Sequence, residues 1–226
     1  MDLYDVMRTT PAVREFTGDP LPDETLHRIL DHARFAPSGG NRQGWRVIVL
    51  RDQATRVRIR ELYQLGWREY AEHVRHGLVP FAPREHGRWP GPAVDLAEAR
   101  RTPAPNELAD TLEHLPVLLL IVAELGALAV VDNGLDRQSI VGGASIYPFC
   151  HNLLLAARNE GLGGVLTSVV VRQEPAVREL LGIPDGFAIA GLMALGHPRK
   201  VITKLRRNRV EEFTWTDRFD GEPFTG

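Results

Sequence analysis

The chain has 226 residues, a formal net charge of −2, 43% hydrophobic and 25% charged residues, and a single cysteine. A chain of this length buries about 70–75% of its unfolded surface, and its composition is that of a globular protein. The near-neutral charge argues against a strong drive toward nucleic acid or anionic membrane, and the lone Cys150 excludes an intrachain disulfide and a multi-thiolate metal centre.

Residues 2–8 carry Leu3, Val6 and Met7 at helical spacing, which predicts a short helix ended by Pro11. Asp23 is a candidate N-cap for a second helix with Leu26, Ile29, Leu30 and Ala33 on one face. Pro37 stops that helix, Ser38-Gly39-Gly40 has loop chemistry, and Trp45–Leu50 reads as a strand. A charged amphipathic helix is expected over about 53–76. Residues 77–106 hold six prolines and read as a lid or excursion, because so long an irregular loop in a compact domain usually has a use. Pro116–Glu124 is a buried strand, 140–160 a buried helix, Val165–Val171 a β-branched strand, 174–181 a short helix and Phe187–Leu195 a last strand. From about 197 to 226 the chain is a polar, basic arm. The expectation is a single α+β (α/β-like) domain over 1–226, with helices on both faces of a sheet of about four strands.

The start, MDLYDVMRTT, has acids and no apolar stretch, unlike a secretory leader. The longest apolar runs are far shorter than the ~18 residues that span a membrane. A soluble, cytoplasmic protein is expected, without nucleic-acid or membrane partners.

Several common chemistries fail on their spacing. There is no G-x-x-x-x-G-K-[ST] loop, and Gly161-Leu162-Gly163 follows a helix where a dinucleotide fingerprint would follow a strand; it reads as a helix C-cap. Gly143-Ala144-Ser145-Ile146-Tyr147 lacks the final glycine of a nucleophile elbow, which leaves Ser145 as a buried helical serine. His73 and His76 lie on a charged helix face with no metal motif around them and read as solvent-exposed. Cys150 reads as a small core residue. No metal site is expected.

Three separated segments remain. Met7–Phe16 places Arg8 and Arg14 around the hydroxyls of Thr9 and Thr10, which suits a phosphate and a polyol, or is simply two surface arginines and a turn. Phe35–Trp45 carries Gly39 and Gly40, which let a flat ligand approach the backbone. It also carries Asn41 and Gln43, whose amides can pair with a heterocycle edge. Lys204–Arg209 is either a solvated charge run or the source of a phosphate-binding arginine, Arg206 or Arg207.

Together these segments resemble the FMN-dependent nitroreductase family. The family's R-x-S-x-[RK]-x-F element is echoed by Thr10–Phe16, and its A-P-S-x-x-N-x-Q-P-W string by Ala36-Pro37-Ser38-Gly39-Gly40-Asn41-Arg42-Gln43-Gly44-Trp45. Its G-L-G turn is matched by Gly161-Leu162-Gly163, and its G-[YH]-P turn and basic segment by Gly196-His197-Pro198 and Arg206-Arg207. The resemblance implies a mixed sheet flanked by helices, in an intertwined homodimer with FMN at the subunit interface. By position it implies Arg8, Thr10 and Arg14 on the ribityl phosphate and flavin pyrimidine. It further implies Pro37, Ser38, Gly39, Asn41 and Gln43 reaching in from the partner, Leu166, Thr167 and Ser168 near flavin N5, and Arg206 or Arg207 on the phosphate. No acid–base residue is required. The implied activity is ping-pong transfer of hydride from NAD(P)H to an electron-poor small molecule such as a nitroaromatic or quinone. The alternatives are a non-catalytic flavin-binding or sequestering protein, or another flavin reaction: dehalogenation, ene reduction or flavin breakdown. Three departures stand out: Thr10 falls where the family has its first arginine, Ala12 where it has serine, and Gly44 where proline is common. Arg8, one helical step away, is a possible replacement for the lost guanidinium.

Overall fold

The computed structural model describes residues 1–84 and 87–225. Seven α-helices occur among them: α1 (Leu3–Thr9), α2 (Asp23–Ala33), α3 (Gln53–Arg75), α4 (Leu96–Arg101), α5 (Glu107–Asp110), α6 (Tyr147–Asn159) and α7 (Glu174–Leu181). They surround a four-stranded sheet of β1 (Trp45–Val49), β2 (Val117–Glu124), β3 (Gly163–Thr167) and β4 (Phe187–Gly196), ordered β1-β2-β4-β3. The three strand pairs are antiparallel. The parallel component is an isolated bridge between Ala12, outside the named strands, and Gly164 of β3.

β2 is a continuous apolar run because both of its faces are covered. Alternate side chains of a strand point to opposite sides. Leu118, Leu120 and Val122 pack with Ile59 and Tyr63 of α3 and Val177 of α7. Leu119, Ile121 and Ala123 pack with Leu26, Ile29 and Ala33 of α2 and with Phe149, Leu153 and Ala157 of α6. Each fully buried leucine here contributes about 1.5–3 kcal/mol of transfer free energy. A β-bulge interrupts the β2–β4 register between Ile121 and Val122. The extra residue lets Ile189 and Leu192, three apart, serve the same core.

The turn after α6 has the expected C-cap form. Gly161 takes φ 80°, Leu162 N–H donates to Ala157 O at 2.9 Å, and Gly161 N–H donates to Arg158 O at 3.0 Å. This is a Schellman closure, which needs a left-handed residue after the helix. The turn feeds directly into β3.

Several expectations are corrected. Asp23 is not the N-cap of α2; Pro22 precedes the helix and Asp23 sits in its first turn, paired with Arg51 at 2.5 Å. The expected helix over 140–160 is two elements, a 3-10 segment Val141–Ser145 and α6. They join at Ile146 (φ −121°, ψ −50°), and Pro148 takes a first-turn position of α6, where its missing N–H costs nothing. The strand expected over Val165–Val171 begins earlier and ends at Thr167; Val169–Gln173 is a 3-10 turn. The proline-rich 77–106 stretch is mostly irregular but includes the six-residue α4, capped by Asp95.

Candidate functional site

The N-terminal segment is laid along β3 by a glycine pair. Val13 N–H donates to Gly164 O at 2.9 Å. A Cβ on Gly163 would stand 2.5 Å from Val13 Cγ2, and one on Gly164 would stand 2.5 Å from Leu195 Cδ2. Only glycine permits this approach. Val13 is buried in the core, so its neighbours Ala12 and Arg14 turn outward. Arg14 is thereby carried to the end of β3 that bears Leu166, Thr167 and Ser168.

A residue overlooked in the sequence ties these groups together. Tyr63 of α3 is buried, and its hydroxyl lies 3.0 Å from Thr167 Oγ1. Burial raises the Tyr63 pKa, while the Thr167 hydrogen bond and the charge on Arg14 act in the opposite direction. The Arg14 charge is therefore close enough to be felt at the Tyr63–Thr167 pair. Further along α3, Gly66 allows the helix to touch the turn after β3; a Cβ there would meet Val169 O at 2.7 Å.

The C-terminal arm leaves β4 beside the same segment. Thr17 N–H donates to His197 O at 2.8 Å, Arg199 N–H to Glu15 O at 3.1 Å, and Arg199 Nε to Phe16 O at 3.0 Å. Pro11 and Thr10 then form a cleft with Gly163, Gly164, Arg158 and Lys200. Thr10 Oγ1 donates to Val6 O at 2.6 Å. Arg8 is exposed, with its guanidinium 5.9 Å from the Tyr4 ring centroid. Arg206 and Arg207 are exposed on the irregular part of the arm, where Arg207 donates to Arg206 O at 2.8 Å.

The Pro37–Gln43 loop sits elsewhere. Trp45 anchors it by stacking on Phe149, with centroids 4.9 Å apart. Gly39 N–H donates to Ser145 Oγ at 3.1 Å, and Gln43 N–H to Ser38 Oγ at 2.9 Å. Ser145, expected as a helical serine, is buried in the 3-10 segment and has this definite role. Gly40, Asn41 and Gln43 have φ of 60°, 52° and 50°. For the two non-glycine residues that conformation costs about 1–2 kcal/mol each. Gln43 Nε2 donates to Asn41 Oδ1 at 3.2 Å, so the two amides are paired with each other.

β1 and β3 are the two outer strands of the sheet. At about 4.8 Å per strand they stand roughly 14 Å apart. One chain thus brings together Thr10, Arg14 and 166–168, joined by the arm, but not the 37–43 loop.

A second concavity lies between α3 and the excursion, lined by His73, Phe81, Arg84, Trp89 and Ala93, with a volume of about 240 Å³. His73 is buried, contrary to the exposed position expected; its Nδ1 is 2.8 Å from Glu69 O and its Nε2 accepts from Ala93 N–H at 3.4 Å. Arg172 pairs with buried Glu69 at 3.0 Å and lies 4.6 Å from the Trp89 ring centroid. His76 is exposed and contacts Glu72. Cys150 is buried as expected, and burial pushes its thiol up to about 12.

The donor set at the β3 edge fits a phosphorylated, polyhydroxylated ligand with an anionic ring. Arg14, Arg158 and Lys200 have no carboxylate within ion-pair distance among the described residues. Residues 7–197 match the model of the nitroreductase family. The chain belongs to the nitroreductase family. It is an oxidoreductase with that family's α+β fold. It is 26% identical over 217 residues to iodotyrosine deiodinase 1 of Rattus norvegicus, covering 95% of this chain and 69% of that one. A solved iodotyrosine deiodinase bound to FMN and 3-iodo-L-tyrosine superposes with a TM-score of 0.64 at 25% identity, covering 97% and 99% of the two chains. The NADPH:FMN oxidoreductase of Vibrio harveyi, solved with NAD+, superposes with a TM-score of 0.64 at 19% identity, covering 96% and 78%.

Proposed function

We propose that this nitroreductase-family chain binds FMN between two copies of itself and passes reducing equivalents from NAD(P)H to a small electron-poor acceptor. The observation that carries the reading is the division of the candidate residues. Arg14 and Leu166–Ser168 share one sheet edge, whereas Pro37–Gln43 belongs to the other. A second copy supplies what one chain holds apart.

FMN, when bound, supplies the hydride-accepting and hydride-donating chemistry. The chain's own residues bind it and tune it. Arg14 places a fixed positive charge at the β3 edge and favours an anionic ring over a neutral one. Thr167 is held by Tyr63, so the backbone of 166–168 is presented in one orientation. Arg206 and Arg207 add positive charge for the phosphate from the arm at about 197–226. Gly39, Asn41 and Gln43 close over the ligand from the partner, their backbone fixed by Ser38 and Ser145.

The 77–106 excursion, with Phe81 and Trp89 facing His73, is proposed to shape the acceptor's surroundings. Reductive dehalogenation of an aromatic acceptor is the second reading. It is supported by two features: relatives named iodotyrosine deiodinase, and the aromatic walls of this concavity.

The deciding experiment is the visible spectrum of the purified protein, followed by anaerobic titration with NADH and NADPH. Acceptor turnover is then compared between a nitroarene, a quinone and 3-iodotyrosine. A yellow protein bleached by a nicotinamide and recoloured by a nitroarene or quinone supports the first reading. Iodide release supports the second. A flavin-binding protein that turns over none of them supports sequestration, and a colourless protein with no FMN affinity overturns the proposal.

A further inference from the structure

The family pattern places an arginine where this chain has Thr10, and the loss of that positive charge needs an answer. Arg8, the nearest candidate in sequence, lies over Tyr4. Arg158, from the last turn of α6 and 148 residues further along the chain than Thr10, stands in the cleft itself. Its Nε donates to Thr9 Oγ1 at 3.0 Å, and that hydroxyl in turn donates to Asp5 O at 2.6 Å. A guanidinium is a planar fork, so fixing Nε fixes the direction of the two terminal amino groups. Arg158 is half-buried and has no carboxylate partner among the described residues. Lys200, from the start of the C-terminal arm, lines the same cleft, and the remaining walls include Pro11, Gly163, Gly164 and Pro198.

We propose that Arg158 and Lys200 form the phosphate-binding end of the flavin site, with Arg158 replacing the guanidinium absent at Thr10. The assignment rests on the FMN reading above. An oriented guanidinium suits a phosphate because it offers two parallel N–H donors. A lysine beside it adds a mobile point charge. Half-burial makes the Arg158 charge harder to screen than a fully exposed one. Thr9 acts here as a positioning residue, through its bond to Nε.

The test compares FMN with riboflavin, which lacks the phosphate, by quenching of flavin fluorescence on titration into apoprotein. Arg158→Ala is expected to weaken FMN by ~10–100-fold, the equivalent of one charge-assisted hydrogen bond. Riboflavin affinity should stay within about a factor of two. Lys200→Ala should weaken FMN less and leave riboflavin alone, and Arg158→Lys should recover part of the loss. Far-UV circular dichroism and thermal melts accompany each variant. Because Lys200 is exposed, its variant keeps the question open to measurement should Arg158→Ala fail to fold. Equal weakening of both flavins would assign Arg158 a purely structural role and overturn the inference. So would unchanged FMN affinity in both variants. Wild-type protein that binds neither flavin would overturn the FMN reading and this assignment with it.

Discussion

Tyr63 and Thr167 join α3 to the end of β3 through a hydroxyl pair 3.0 Å apart, on the core side of the sheet and beside the charge of Arg14. Tyr63→Phe keeps the ring and removes the bond. A net loss of about 0.5–1.5 kcal/mol is expected in urea unfolding. Because burial leads the upward shift of this phenol, its ultraviolet titration should lag behind that of exposed tyrosines, and a midpoint matching theirs would contradict the buried placement.

Arg14→Ala removes the fixed charge at the β3 edge. Under the proposed function, FMN affinity falls and the bound flavin becomes harder to reduce. One charge-assisted hydrogen bond to the anionic form is worth ~1.5–3 kcal/mol. The readout is the midpoint potential by dye equilibration. An unchanged potential together with unchanged affinity would remove Arg14 from the site.

Gly163→Ala tests the glycine pair. The new methyl would meet the branched side chain of Val13 at 2.5 Å, where no flexible end can swing away. Overpacking of this kind costs about 1–3 kcal/mol. The N-terminal segment should lift from β3, and flavin affinity should fall more than secondary structure does. Parallel circular dichroism and fluorescence titrations separate the two.

Ser145→Ala deletes the acceptor of the Gly39 amide. Faster hydrogen exchange at Gly39 and its neighbours is expected, with little change at β2. Equal exchange before and after the substitution would show that the Trp45–Phe149 stack alone holds the loop.

Cys150 offers a pH test. Burial raises its thiol from an ordinary 9.0 to about 12. The folded state therefore keeps a proton that the unfolded chain gives up. Its contribution to stability is complete below about pH 9 and is lost as pH rises toward 12. Native protein at pH 8 should resist alkylation, and urea should expose the thiol.

The sequence made the sheet and its covering helices largely legible, since apolar runs and helical spacing report local burial. One boundary and one burial misled for physical reasons. Val169–Val171 is β-branched and reads as strand, yet the chain bends at Ser168 (ψ 0°) and packs its turn on Gly66. His73 looks like part of a charged face, but Phe81 and Ala93 return from the excursion to cover it. The candidate site was legible where its proposed residues fall in short strings, as with Thr10–Phe16 and Ala36–Trp45. Tyr63 and Arg158 were not, because each reaches it from a helix more than fifty residues away along the chain from Thr10, with no local pattern to mark it.

Placing the 37–43 loop and Arg14 on opposite margins of the sheet makes the two halves genetically separable. In the proposed assembly, a loop-defective copy and an Arg14-defective copy are each inert alone. Co-expressed, they would form mixed pairs in which one composite pocket inherits both sound halves and the other inherits neither. Recovery of flavin colour on mixing two colourless variants would therefore report the pairing itself, without any need to see it.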